Sequence, residues 1–137
     1  MIMVDIRKVT PNDMPTLATW AQRRGCGLVS ELLPPDGFLA TIDGEPLMTA
    51  WASFAINCPI VYVDHVYLPR RFDIDAAREA WRMIIERIRT LATDVSKSAK
   101  KPYLIIEIVM NPVMEREAIA AGGIVSVREY KKCHFLI

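Results

Sequence analysis

The chain has 137 residues, room for one domain spanning 1–137 and one core. Hydrophobic residues make up 52% and charged residues 24%, which excludes wholesale disorder, and 17 Lys and Arg against 16 Asp and Glu leave a formal charge of +1, which offers no footprint for nucleic acid or an anionic membrane. No uncharged apolar run approaches the roughly 20 residues of a membrane span, and Asp5 interrupts the start before a signal-peptide core can form, so a cytoplasmic protein is expected.

Val4 to Thr10 suits an opening strand. Thr10-Pro11-Asn12-Asp13 reads as a helix start, followed by Met14, Leu17, Ala18 and Ala21 at helical spacing and stopped by Gly25 and Gly27. Leu28 to Leu33 fits a short second helix, which Pro34-Pro35-Asp36-Gly37 ends. Three strands come next: Phe38 to Ile42, about Leu47 to Ile56 after the tight-turn pair Asp43-Gly44, and Ile60 to Leu68 after Asn57-Cys58-Pro59. They form an antiparallel meander.

The clearest helix runs from Ala77 to Val95, with Ala80, Trp81, Ile84, Ile88 and Leu91 on one side and Arg78, Arg82, Glu86 and Arg89 on the other. Ser96 to Pro102 reads as a basic, polar loop, and Tyr103 to Met110 as an inner strand in which Glu107 needs a partner. Asn111-Pro112 opens a last helix that closes at Gly122-Gly123, and Ile124 to Tyr130 and Lys131 to Ile137 fit two closing strands. The order is β-α-α-β-β-β-α-β-α-β-β. The helix between the fourth and fifth strands makes a crossover, so that pair should be parallel. The fold class expected is α/β with a mixed sheet (α+β) of six or seven strands and helices on both faces.

Cys26, Cys58 and Cys133 are an odd set without a C-x-x-C pair, and the histidines are His65 and His134 alone, so no zinc site is expected. The three cysteines are read as reduced and mostly interior. A Cys-His pair using Cys58 or Cys133 with His65 lacks a recognisable orienting residue. Trp20, Trp51 and Trp81 fall on apolar periodicities and belong to the core.

The element order resembles that of the GNAT superfamily, the acyl-CoA-dependent N-acyltransferases, over nearly the whole chain. Ile6-Arg7-Lys8-Val9-Thr10-Pro11-Asn12-Asp13 looks like the usual first strand and helix start of that family. Val66-Tyr67-Leu68-Pro69-Arg70-Arg71 is similar to the stretch that leaves its fourth strand, and Asn111 with Gly122-Gly123-Ile124 to its C-terminal segment. The resemblance implies transfer of an acetyl group from acetyl-CoA to an amine. It implies that backbone groups of Val66, Tyr67 and Leu68 pair with the pantetheine arm, and that the pyrophosphate meets the start of the long helix near Arg70, Arg71, Ala76 and Ala77, with Asn111 beyond.

Two departures stand out. The phosphate loop, Arg70-Arg71-Phe72-Asp73-Ile74-Asp75-Ala76-Ala77, contains no glycine, and Asp73 and Asp75 stand where a dianion would approach; capping explains at least one of them. The family's thiolate-protonating tyrosine would fall at Ala118 or Ile119, which cannot serve; Tyr67 and Tyr130 are the tyrosines near that end. Asp64 and His65 are the candidates for the group that takes the amine proton, and as strand neighbours they should point to opposite faces, with an ion-paired Asp64 and a packed His65 as the other reading. Any coenzyme binding should be weak. The competing reading is a GNAT-like protein with a degenerate cofactor site and a structural or partner-binding role, which would fit the small, divergent phage and prophage proteins that the chain also resembles. The sequence names no acceptor amine, no nucleic-acid or membrane partner and no oligomeric state.

Overall fold

The computed structural model describes residues 3–108 together with Arg116, Ile119, Ala120, Gly122 and Gly123. The described strands are β1 (Val4–Lys8), β2 (Asp36–Ile42), β3 (Glu45–Phe54), β4 (Ile60–Tyr67) and β5 (Ile105–Ile108), and the helices are α1 (Met14–Arg23) and α2 (Ile74–Ala99). The strands form one sheet in the order β1-β2-β3-β4-β5. All neighbours are antiparallel except β4 and β5, which run parallel with Ile60 opposite Ile105 and Val63 opposite Ile108. The parallel pair expected from the crossover helix is therefore present. The expected order is longer than these five strands: the closing strands, most of the last helix, Asn111 and Tyr130 lie outside the described residues.

The chain folds locally much as its pattern dictates. Asp43 and Gly44 both take positive φ, 50° and 81°, as the two-residue turn between β2 and β3 requires. A 3-10 turn at Pro11–Asp13 leads into α1, and the Arg7 guanidinium donates to both oxygens of Asp13 at 2.7 Å, tying the end of β1 to the start of that helix. Thr10 N–H also donates to Asp13, at 2.8 Å. These bonds, the one from Arg7 foremost, hold the Asp13 carboxyl down to about 2, below the usual carboxylate range. The second helix expected over 28–33 is a single 3-10 turn, Ser30–Leu32, because proline follows too soon for a longer one.

The long helix outruns its expected end. Ser96, read as the first loop residue, donates its hydroxyl to Ala92 O at 2.7 Å and accepts Tyr103 N–H at 2.9 Å, and α2 continues to Ala99 before Lys100 turns left-handed at φ 51°. Lys101, read as a solvated loop residue, donates instead to the carbonyls of Ala55 and Ile56, and Tyr103 Oη donates to Ala55 O at 2.7 Å. These bonds hold the β3–β4 turn against the start of β5.

Helices cover both faces of the sheet. Toward α2, Phe38, Ala40, Ala50, Ala52, Val61 and Val63 meet Ala80, Trp81, Ile84 and Ile88 in the main core. Toward α1, Leu39, Trp51 and Tyr67 meet Leu17, Trp20 and Ala21 in a second, smaller one. All three tryptophans are buried, as their periodicity implied. Glu107 is exposed on β5, so water satisfies it and no partner is needed. Among the described residues no helix is long and apolar enough to cross a membrane.

Candidate functional site at the bulge of β4

The site begins with one extra residue in β4. Asp64 lies opposite Trp51 and Tyr67 opposite Thr49, so His65 and Val66 together face the single residue Ala50. A bulge of this kind reverses the side-chain alternation after it. Val61 and Val63 point to the α2 side; beyond the bulge so do Val66 and Leu68, which leaves Tyr67 on the α1 side with Trp51. His65 takes the left-handed conformation, φ 53°, which costs a residue with a Cβ about 1 kcal/mol. Its N–H is held by the Asp64 carboxylate at 2.9 Å.

The His65 ring turns to the α1 side as well. Its Nδ1 lies 3.2 Å from Tyr67 Oη, and it meets the Trp51 indole edge-on at 6.1 Å. Asp64 and His65 were expected on opposite faces; the bulge breaks the two-residue period on which that expectation rests and puts both on one. Trp51 is fixed in turn by Gly37, where an added Cβ would run into the indole nitrogen. Gly37, read from the sequence as part of a stop, is a position in β2 that only glycine can fill beside Trp51.

Tyr67 is 6% exposed. Burial pushes its phenol above the ordinary value; the Cys26 thiol and the Asp64 carboxylate beside it add to that, and Arg24 opposes them. Arg24 and Cys26 arrive there because α1 ends in a left-handed Gly25, φ 72°, with Cys26 N–H bonded back to Ala21 O at 3.0 Å. The cysteines are not mostly interior as expected: Cys26 is exposed, Cys58 is half-buried, and Cys133 lies outside the described residues. The helix exit carries Cys26 past the core to the rim of the site. Sequence reasoning valued Tyr67 for its backbone and named its phenol only as one of two tyrosines near that end, because only the bulge decides which way it points.

The loop after β4 is arranged around a cap. Asp73 Oδ1 accepts Ala76 N–H at 2.8 Å and its backbone oxygen accepts Ala77 N–H at 3.0 Å, while the methyl groups of Ala76 and Ala77 are buried in the main core. Asp75 is exposed, with its carboxylate 3.8 Å from Arg78. Arg70 and Arg71 are exposed in the loop. On the β5 side, pairing with β4 is described as far as Val63, and no described residue of β5 pairs with Asp64 to Tyr67.

Two cavities flank these elements on opposite faces. One, of about 450 Å³, lies between the end of α1 and the loop after β4 and includes Arg23, Arg24 and Arg70. The other, of about 500 Å³, lies between α2 and β5 and includes Asp75, Arg78, Trp81 and Ile106. Among the described residues no three His, Cys, Asp or Glu side chains cluster as a metal site would need.

Solved structures match this architecture over its length. An aminoglycoside N-acetyltransferase, AAC(6')-Iy, solved with CoA, superposes with a TM-score of 0.63 at 14% identity, covering 98% of this chain and 96% of that one. A predicted acetyltransferase from Clostridium acetobutylicum, solved with acetyl-CoA, gives 0.56 at 14%, covering 96% of each chain. The chain has the GNAT fold. N-acetylglutamate synthase from Neisseria gonorrhoeae, solved with coenzyme A and N-acetyl-glutamate, gives 0.61 at 16%, with 86% of this chain covering 28% of that one. No protein-family model matches the sequence, and no curated protein matches it either. Identities this low make the chain a divergent member of the GNAT fold, and the sequence-based resemblance is borne out at that level. None of these neighbours is named as a phage protein, so the expected phage likeness gains no support from them.

Proposed function

We propose that the protein is an acetyltransferase that moves an acetyl group from acetyl-CoA to an amine. The observation that carries this reading is the cluster of Asp64, His65 and Tyr67, which a strained bulge gathers at the end of β4 in a GNAT fold. Strain of this kind is kept where surrounding structure holds it and function uses it.

The residues fit acetyl-CoA unevenly. The edge of β4 at Val66, Tyr67 and Leu68 offers backbone groups to the pantetheine amides, and Arg71 offers charge to the phosphates, while Arg70 lines the cavity on the α1 side. The start of α2 offers less, since Asp73 already engages the Ala76 and Ala77 amides. Binding should therefore be weaker than in relatives with a glycine loop.

The coenzyme would supply a thioester carbonyl as the electrophile. Asp64, directly or through a water, takes the proton of the attacking amine as the C–N bond forms and the C–S bond breaks. His65 can share that duty: if its Nδ1–H donates to Tyr67 Oη, Nε2 carries the lone pair; if Tyr67 donates, Nε2 carries the proton. The buried Tyr67 keeps its phenolic proton through the neutral range and would return a proton to the leaving sulfur, a role the family's tyrosine position at Ala118 or Ile119 cannot fill. Tyr130 and Asn111 remain proposed contributors from the C-terminal segment.

A second reading, a protein of this fold with no cofactor, draws on the Asp73 cap. One titration separates the two. Acetyl-CoA added in a calorimeter should bind and raise the melting temperature; no heat and no shift at millimolar coenzyme would overturn the enzyme reading.

A further inference from the structure

We propose that the amine acceptor carries an anionic group, a carboxylate or a phosphate, held by Arg23, Arg24 and Arg70 in the cavity on the α1 side. This rests on the acetyltransferase reading and names its substrate class.

The three arginines come from two separate elements, the end of α1 and the loop after β4, and line one cavity of about 450 Å³. Its remaining walls include Trp20, Leu68 and Phe72, and no acidic side chain lines it. Four arginines elsewhere are paired, Arg7 with Asp13, Arg78 with Asp75, Arg82 with Glu79 and Arg89 with Glu86. Among the described residues no carboxylate forms an ion pair with Arg23, Arg24 or Arg70. Three like charges gathered in a concavity repel one another, and an anionic ligand relieves that repulsion while accepting forked hydrogen bonds from guanidinium.

The cavity also has the right neighbour. Trp20, which lines the cavity, packs in the smaller core with Tyr67 and Trp51, so the cavity adjoins the cluster that would handle the amine proton, and Arg24 acts electrostatically on the Tyr67 phenol. An amine at Asp64 with its anionic group among the arginines would sit wholly on the α1 side. The α2 and β5 cavity lies on the other face and mixes acids with bases. An anion in the α1 cavity is thus the acceptor's, while the coenzyme phosphates belong at the start of α2.

Matched pairs of amines test this: phenylalanine against phenylalanine amide, and O-phosphoethanolamine against ethanolamine, each with acetyl-CoA. The anionic member of at least one pair should be favoured in kcat/KM by roughly tenfold or more. In a doubly substituted Arg23→Gln, Arg24→Gln protein that ratio should fall toward one, with the dissociation constant of acetyl-CoA unchanged. Equal turnover of the neutral member overturns the proposal. So does a matching loss of acetyl-CoA affinity in the variant, which would assign the arginines to the coenzyme. Inorganic phosphate supplies a reading independent of turnover: at constant ionic strength it should raise the melting temperature of the wild type and not of the variant. No rise in the wild type overturns the anion site. A rise that the variant abolishes, with no binding of acetyl-CoA, would sink the acetyltransferase reading and leave the anion site standing.

Discussion

Toward α2 the sheet presents Ala40, Ala50, Ala52, Val61 and Val63, small and β-branched side chains that let the helix lie close, and the helix answers with Ala76, Ala80, Ile84 and Ile88. Toward α1 the same strands present Trp51, Asp64, His65 and Tyr67, and the covering helix is ten residues long, not twenty-six. The first face packs through apolar side chains. The second carries the left-handed histidine, a buried phenol with a raised pKa, an exposed cysteine and three arginines gathered at its rim. One sheet can serve both ends because the period of two separates its faces: stability is collected on one side, and the side with strain and polar groups is supported from behind.

Substitutions on each face should therefore act differently. The largest effect is expected from Asp64→Asn, which should lower turnover by roughly two to four orders of magnitude if the carboxylate takes the amine proton, with acetyl-CoA affinity and unfolding midpoint nearly unchanged. Steady-state kinetics beside a urea melt would decide it, and unaltered turnover removes Asp64 from the mechanism.

Ile84→Ala should do the reverse. Ile84 is fully buried on the α2 face, and its loss should cost about 2–5 kcal/mol in a urea melt, with kcat of the protein that stays folded unchanged. A large fall in kcat there would show that the faces are not separable.

Gly37→Ala crosses the divide. The new Cβ collides with the Trp51 indole, which must move and carry His65 with it, at a cost of about 1–3 kcal/mol and a changed near-ultraviolet tryptophan spectrum. An unchanged spectrum would mean that Trp51 is not wedged as described.

A finer comparison concerns the strain itself. His65→Gly and His65→Ala both delete the ring, but only alanine must hold a Cβ at φ 53°, so the glycine variant should be the more stable by about 1 kcal/mol. Equal stability would mean that the bulge relaxes.

The smallest effect lies at the entrance to α1. Asp13 titrates at about 2 in the folded chain against an ordinary value near 4, so it favours folding fully above pH ~4, and that contribution fades as pH falls toward 2. Arg7 is half exposed and water screens the pair, so Asp13→Asn should cost about 1 kcal/mol at neutral pH and almost nothing at pH 2. A penalty that persists at pH 2 would assign the effect to something other than the charge.

Much of the fold was legible in the chain. The Asp43-Gly44 turn, the amphipathic period of α2 and the β-branched run from Ile60 are local signals, and local backbone preference answers to them. The crossover then left a parallel pair as the natural closure. The Asp73 cap was legible too, since a carboxylate just before a helical run satisfies its first amides wherever the helix goes.

What lay beyond reach depended on partners distant in sequence. A bulge is a count of residues on two strands, and nothing in Val63-Asp64-His65-Val66-Tyr67 says that Ala50 will face two residues instead of one. That single offset put Asp64 with His65 and turned the Tyr67 phenol toward Cys26. Arg23 and Arg24 share a cavity with Arg70 only because α1 ends beside the loop after β4, forty-odd positions further along. The sequence by itself determined the elements, their order and the core-facing stripe of α2, because these follow from periodicity, turn chemistry and burial acting on neighbours. Register, the side to which β4 turns its polar residues and the meeting of Arg23 and Arg24 with Arg70 were decided by tertiary structure alone, because each is a relation between segments whose distance in space the chain does not encode locally.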